Sequence, residues 1–292
     1  MKNLIYLLLL SMTIPSCKKE EARQVNQYTI EQFYTNTRFE GGTFSADETR
    51  LLVGSDETGI FNLYEITLAD GAKKQLTTST VESYYPVDYV PGMSALIYSA
   101  DKGGNEIDHL YLLEDNGKTT DLTPGENNKV SFFKWSEDKK SMFYISNIRD
   151  PKYFDVYKMN IGEWIPTLFY ENKSGLDVNE ISDDEKTLVV SKTVTTSENE
   201  LYLVNKETGT QTELSLPDQK GRYGVSGISK DSKYVFYLTD GGKEFTYLVQ
   251  YDMNSGERKV LYETTWDVMY TFLSEKETYR VIAINEDGKN TI

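Results

Sequence analysis

Histidine and cysteine each occur once in the 292 residues, as His109 and Cys17. A single imidazole and a single thiol cannot assemble a His/Cys zinc site, and one cysteine allows no disulfide within the chain. Basic charge is scarce too: 31 Lys and Arg stand against 46 Asp and Glu, a formal net charge of −15. Phosphate backbones need a basic footprint, so a nucleic-acid partner is excluded. The acidity reads first as solubility. No apolar run reaches the roughly 20 residues of a membrane-spanning helix; Leu4 to Met12 falls well short. A nucleophile elbow, Gly-x-Ser-x-Gly, is also missing. Its nearest approach, Gly224-Val225-Ser226-Gly227-Ile228, fails at the fifth position. Glycine-rich phosphate loops are absent, since Gly103-Gly104 and Gly241-Gly242 each lie within a repeat. Residues 1–292 are therefore expected to hold no catalytic, cofactor-binding or metal-binding residues.

A repeat is abundantly present. Gly42 to Thr77 contains four short β-rich runs, each closed by Gly, Asp, Asn or Ser, the pattern of four antiparallel strands joined by turns. Aligned on the end of the first run, Phe44 recurs as Tyr89, Trp135, Ile181, Ile228 and Leu273, at gaps of 45, 46, 46, 47 and 45 residues. A leucine of the fourth run keeps the same period independently, as Leu76, Leu122, Leu168, Leu214 and Leu261. Four-stranded units of roughly 40–50 residues are β-propeller blades. The turn after the first run carries Ser45, Ser136, Ser182, Ser229 and Ser274 one residue past the anchor. Asp47, Asp138, Asp184 and Asp231 sit two residues beyond those serines. Their short oxygen-bearing side chains bond the backbone of a tight turn. The second copy has Val90-Pro91-Gly92 instead, and the sixth has Lys276 in place of the Asp.

The expected fold is all-β: a propeller of four-stranded blades over residues 38–292, with five complete blades at about 38–79, 80–126, 127–172, 173–218 and 219–263. A partial sixth begins at Trp266, with its second run, Val281-Ile282-Ala283, one residue late. Half a blade exposes unpaired backbone, so the ring is expected to be truncated before closure. Long loops between second and third strands are expected on one face around the channel, where loop variation carries recognition. His109 falls just before a third strand, where other copies have Asn62, Asp155 and Glu200, and reads as a structural residue in a slot for a solvated polar side chain.

The N-terminus stands outside the repeats. Lys2, the apolar run, Ile14-Pro15-Ser16-Cys17 and the charged Lys18 to Glu21 resemble a bacterial lipoprotein signal. That resemblance implies a signal peptide over 1–16, lipidation of Cys17, and an exported protein anchored in the periplasm or at the cell surface. Residues 17–37 form a tether and a short helix, with Thr29 and Gln32 as a capping box and Tyr28 and Phe33 as its hydrophobic staple.

The repeat GGTFSADETRLLVGSDETGIFNLYEITLADGAKKQLT resembles a blade from the N-terminal propeller of the prolyl oligopeptidase family of serine peptidases, in its bacterial dipeptidyl- and acylaminoacyl-peptidase-like branch. Asp101 to Glu106, Leu122-Thr123-Pro124-Gly125, Ser146 to Pro151 and Trp266 to Tyr270 strengthen the likeness. TolB-type propellers share much of the pattern. The peptidase resemblance implies a propeller that gates access of small peptides, followed beyond residue 292 by an α/β-hydrolase domain with the Ser-Asp-His triad. It further implies that Arg149 and Tyr153, in the long third-blade loop, contact a peptide carboxylate or side chain. The TolB-like alternative is a non-enzymatic lipoprotein that binds an envelope protein or glycan.

Overall fold

A computed structural model describes residues 25–216 and 218–292. The signal segment and Cys17 lie outside the described residues. Two compact units result, one ending at Thr37 and one running from Arg38 to Ile292. In the first, a helical turn, Ile30–Tyr34, starts with the anticipated capping box. The Gln32 amide donates to Thr29 Oγ1, and the Thr29 amide to Gln32 Oε1. The Tyr28 and Phe33 rings close the staple edge to face at 5.8 Å.

The second unit is an all-β propeller of six blades. Each blade is one antiparallel sheet with its strands in sequence order; five have four strands and the sixth has three. Five blades and a remnant were expected. Instead the sixth repeat forms a sheet of its own, Asp267–Leu273, Arg280–Glu286 and Lys289–Thr291. Nor does its second run come late: Leu273 pairs with Arg280, the same seven-residue step that joins Ile228 to Val235 in blade 5. The sixth turn closes without the Asp, because the Ser274 amide still reaches the Tyr279 carbonyl at 2.9 Å and Ser274 Oγ still takes the Tyr279 amide.

The anchors occupy equivalent places, each ending the inner strand of its blade: Phe39–Phe44, Tyr85–Tyr89, Val130–Trp135, Asp177–Ile181, Tyr223–Ile228 and Asp267–Leu273. Every inner strand also carries a β-bulge. A bulge bends a strand and raises its twist, which suits the crowded centre of a ring of sheets. The apolar core lies between blades. Leu52 and Leu63 of blade 1 pack on Leu96 and Tyr98 of blade 2. Ile97 and Leu112 meet Trp135 and Met142 at the next seam, Phe143 meets Ile181 and Leu188, and Val189 meets Val235 and Tyr237. Tyr89, Trp135, Ile181 and Ile228 thus each cover the blade before them. Phe44 has no earlier blade to cover among the described residues and is 59% exposed, against 8% for Trp135 and 1% for Ile181.

Candidate functional site

Strand polarity gives the propeller two ends. First strands run down to the Ser-x-x turns, and second strands return to an end built from second-to-third-strand loops and the linkers between blades. At the turn end Ser45, Ser136, Ser182 and Ser229 each donate a hydroxyl hydrogen bond of 2.6–2.7 Å to the Asp two residues on. Ser45 and Thr49 hold the Asp47 carboxyl down at about 2. Lys230 Nζ of blade 5 reaches Glu137 of blade 3 at 3.1 Å, while the Lys230 amide donates to Glu277 of blade 6.

Polar side chains just before the anchors tie the inner strands together. The Asp88 carboxylate accepts from Thr43 of blade 1 at 2.7 Å and from the Trp135 indole of blade 3 at 2.8 Å. Lys134 donates to Glu180 of blade 4 at 2.9 Å. Repeat reading passed over these residues, although a polar group immediately before the anchor in four successive copies was a usable signal.

The loop end is where recognition was expected. Residues opening the third strands were expected to be solvated; Asn62, His109 and Asp155 are buried instead, because each one pins the linker to the next blade. Asn62 holds the Ser79 amide and carbonyl. His109 places Nδ1 2.8 Å from Asp121 and Nε2 2.9 Å from the Gly125 carbonyl, so neither ring nitrogen is left for a serine. Asp155 accepts the Asn172 amide, and in blade 4 the position belongs to Asn199, which brackets Tyr223, rather than to Glu200.

Arg149 and Tyr153 do not sit on a loop. The second strand of blade 3 extends over Ser141–Asp150 and the third over Tyr153–Asn160, with Asp150 paired to Tyr153 across a two-residue turn. Arg149 Nε and one Nη donate to the two oxygens of Asp155 at 2.6 and 2.9 Å, and the same Nη reaches the Asn172 carbonyl. The Asp155 hydrogen bonds raise the Arg149 pKa. Its other Nη lies 3.8 Å from Glu171, and the guanidinium sits 6.0 Å from the centre of the Tyr153 ring. At the same end opens a cleft of about 650 Å³ bordered by Glu82, Tyr85, Asp101, Glu106, Asp108 and Lys129. The backbone of Lys129 donates to Asn147, two residues from Arg149. Four carboxylates against one lysine make the cleft a place for a cationic group.

Residues 87–292 match the family model described as the prolyl oligopeptidase N-terminal β-propeller domain. Dipeptidyl aminopeptidase BIII of Pseudoxanthomonas mexicana is 24% identical over 238 residues, 78% of this chain and 34% of that protein. The chain thus spans about a third of the length of this relative. A solved structure from a study of two prolyl endopeptidases superposes with a TM-score of 0.61 at 16% identity, covering 85% of this chain and 39% of that one. TolB from Acinetobacter baumannii gives a TM-score of 0.50 at 17% identity, over 76% of this chain and 53% of that one. At such identities the structural likenesses speak for the fold.

Proposed function

The chain belongs to the prolyl oligopeptidase N-terminal β-propeller family, and on that premise we propose that it is the substrate-gating part of an exported serine peptidase that acts on small peptides. The chemistry belongs to an α/β-hydrolase domain that follows the propeller in the complete protein, and Cys17 carries the lipid that anchors it in the envelope. The observation that carries this reading is the loop end, which holds both an acidic cleft and the Arg149 group. A short peptide presents an amino terminus and a carboxylate, and the cleft's carboxylates and the Arg149 guanidinium are the groups at this end with the charges to meet them. Arg149 uses its Nε edge on Asp155, so it meets a substrate through the Nη that points towards Glu171, with Tyr153 stacked beneath it.

A fluorophosphonate probe applied to the complete protein tests the peptidase reading. Labelling of one serine outside residues 1–292 is expected. An unlabelled protein that instead captures an envelope partner would favour the TolB-like alternative. Within an active enzyme, Glu82→Lys combined with Asp101→Lys is expected to lower kcat/KM for peptides with a free amino terminus about tenfold relative to N-acetylated ones. Arg149→Ala is expected to raise KM for short peptides more than it lowers kcat. For the anchor, globomycin should block processing of the precursor, and Cys17→Ala should release the protein from membranes.

A further inference from the structure

The polar slot near the start of the third strand is filled in blades 1 to 4 by Asn62, His109, Asp155 and Asn199. Asn62 accepts the Ser79 amide and donates to the Ser79 carbonyl. Asn199 treats Tyr223 in the same way. Asp155 faces donors, the Arg149 guanidinium and the Asn172 amide. His109 differs, because both of its ring nitrogens face acceptors. Nε2 lies 2.9 Å from the Gly125 carbonyl, which has no hydrogen to give. Nδ1 lies 2.8 Å from one oxygen of Asp121, whose other oxygen takes the Thr123 amide at 3.0 Å.

A neutral imidazole carries one N–H and would aim a lone pair at one of these acceptors; the imidazolium carries two and meets both. The Thr123 amide favours the ionised form of Asp121, which has no ion-pair partner but His109 among the described residues. Tyr111 stacks on the His109 ring at 6.2 Å, and Tyr98 stacks on Tyr111. Burial pushes both hydroxyls up, so neither titrates near neutrality. Glu82 and Tyr84, from the linker before blade 2, act on Tyr111. Asp108, the residue before His109, turns its carboxylate towards Ser99 and borders the acidic cleft.

We propose that the fold holds His109 as the imidazolium, and that this proton makes the linker between blades 2 and 3 a pH-sensitive clasp. Gly125 is where the linker turns: its carbonyl also takes the Asn128 amide at 3.3 Å, and Asn128 bonds the Thr123 carbonyl and Ser146 of blade 3. Two residues on, the Val130 amide reaches the Asp108 carbonyl at 2.9 Å, so the clasp also braces a wall of the acidic cleft. When the proton leaves, the remaining N–H stays with the charged partner, Asp121, and the Gly125 carbonyl is released. Folding favours the protonated form, so the clasp's contribution is complete in mild acid and is lost as the pH rises.

His109 is the only histidine in the chain, so histidine-selective ¹⁵N labelling of the full chain reports on it alone. At about pH 7.5, one unit above the ordinary histidine value, the folded chain should show hydrogen on both ring nitrogens. The same chain in urea should show a neutral ring. Asp121→Asn, whose amide can donate to Nδ1, should give a neutral ring at that pH in the folded protein. His109→Asn copies the solution of blade 1, and the Tm gap between it and the unsubstituted chain should narrow as the pH is raised. Exchange of the Asn128 amide, measured against that of Tyr223 at the Asn199 slot, should quicken about tenfold as the proton leaves, the worth of one charge-assisted hydrogen bond. A bare ring nitrogen in the folded chain at about pH 7.5 would overturn the bound proton. An Asn128-to-Tyr223 exchange ratio that stays flat as His109 titrates would overturn the clasp.

Discussion

Asp155 lies in a place water does not reach: its side chain is 0% exposed, and its oxygens are used by Arg149 and the Asn172 amide. Removing one partner of such a group strands the other, and that penalty exceeds the value of the hydrogen bonds themselves. Asp155→Ala should therefore lower stability by about 3 kcal/mol in denaturant titrations, and amide exchange should quicken first at Asn172, where the linker to blade 4 is released. A turn carboxylate behaves differently, being exposed and tuned by its neighbours. Asp47 is held at about 2, from an ordinary 3.8, by the Ser45 hydroxyl first and then by Thr49. A depressed folded-state pKa means the ionised form is favoured by folding. Its contribution is complete above about pH 4 and is lost as the pH falls through about 2. The gap in Tm between the unsubstituted chain and Asp47→Ala should thus be constant near neutrality and close across that acidic window.

Within a blade, the turn after the inner strand shows how one backbone solution recurs with different residues. Glu48, Lys139, Glu185, Ser232 and Glu277 all take a positive φ of 52–61° at the same place in the turn. Blade 2 solves the turn otherwise, with Pro91 followed by Gly92 at φ 71°. A side chain in the left-handed region is strained where glycine is not. Lys139→Gly should therefore raise stability by up to about 1 kcal/mol, and a loss would show that Lys139 supplies a contact outweighing its strain. The period, the anchors and the Ser/Asp pairs were legible in the sequence because identical turns impose identical chemistry at a fixed spacing. The capping box was legible because its partners are three residues apart. What escaped had no such local rule. Arg149 looked like a loop residue because nothing in Asn147 to Lys152 announces that the hairpin extends to its tip. The buried slot looked solvated because Asn62, His109 and Asp155 are polar, and their partners lie 16 to 17 residues away in the linkers.

Across the whole molecule, stability resides in seams rather than in sheets, so a side chain's worth depends on whether a neighbouring blade covers it. Phe44 and Ile181 hold the same place in their repeats, yet one is exposed and the other is 1% exposed at the seam between blades 3 and 4. Burial of an aliphatic side chain and the cavity left on truncation make Ile181→Ala worth about 3 kcal/mol. Phe44→Ala in the same chain should cost well under about 1 kcal/mol, since little area is lost from the core. The comparison also tests whether the ring is completed by further sequence. In a longer protein whose additional sheet packs on blade 1, Phe44 becomes an ordinary seam residue, and Phe44→Ala should then cost as much as Ile181→Ala. Unequal costs in the complete protein, with Phe44 still tolerant, would mean that blade 1 keeps an open face there.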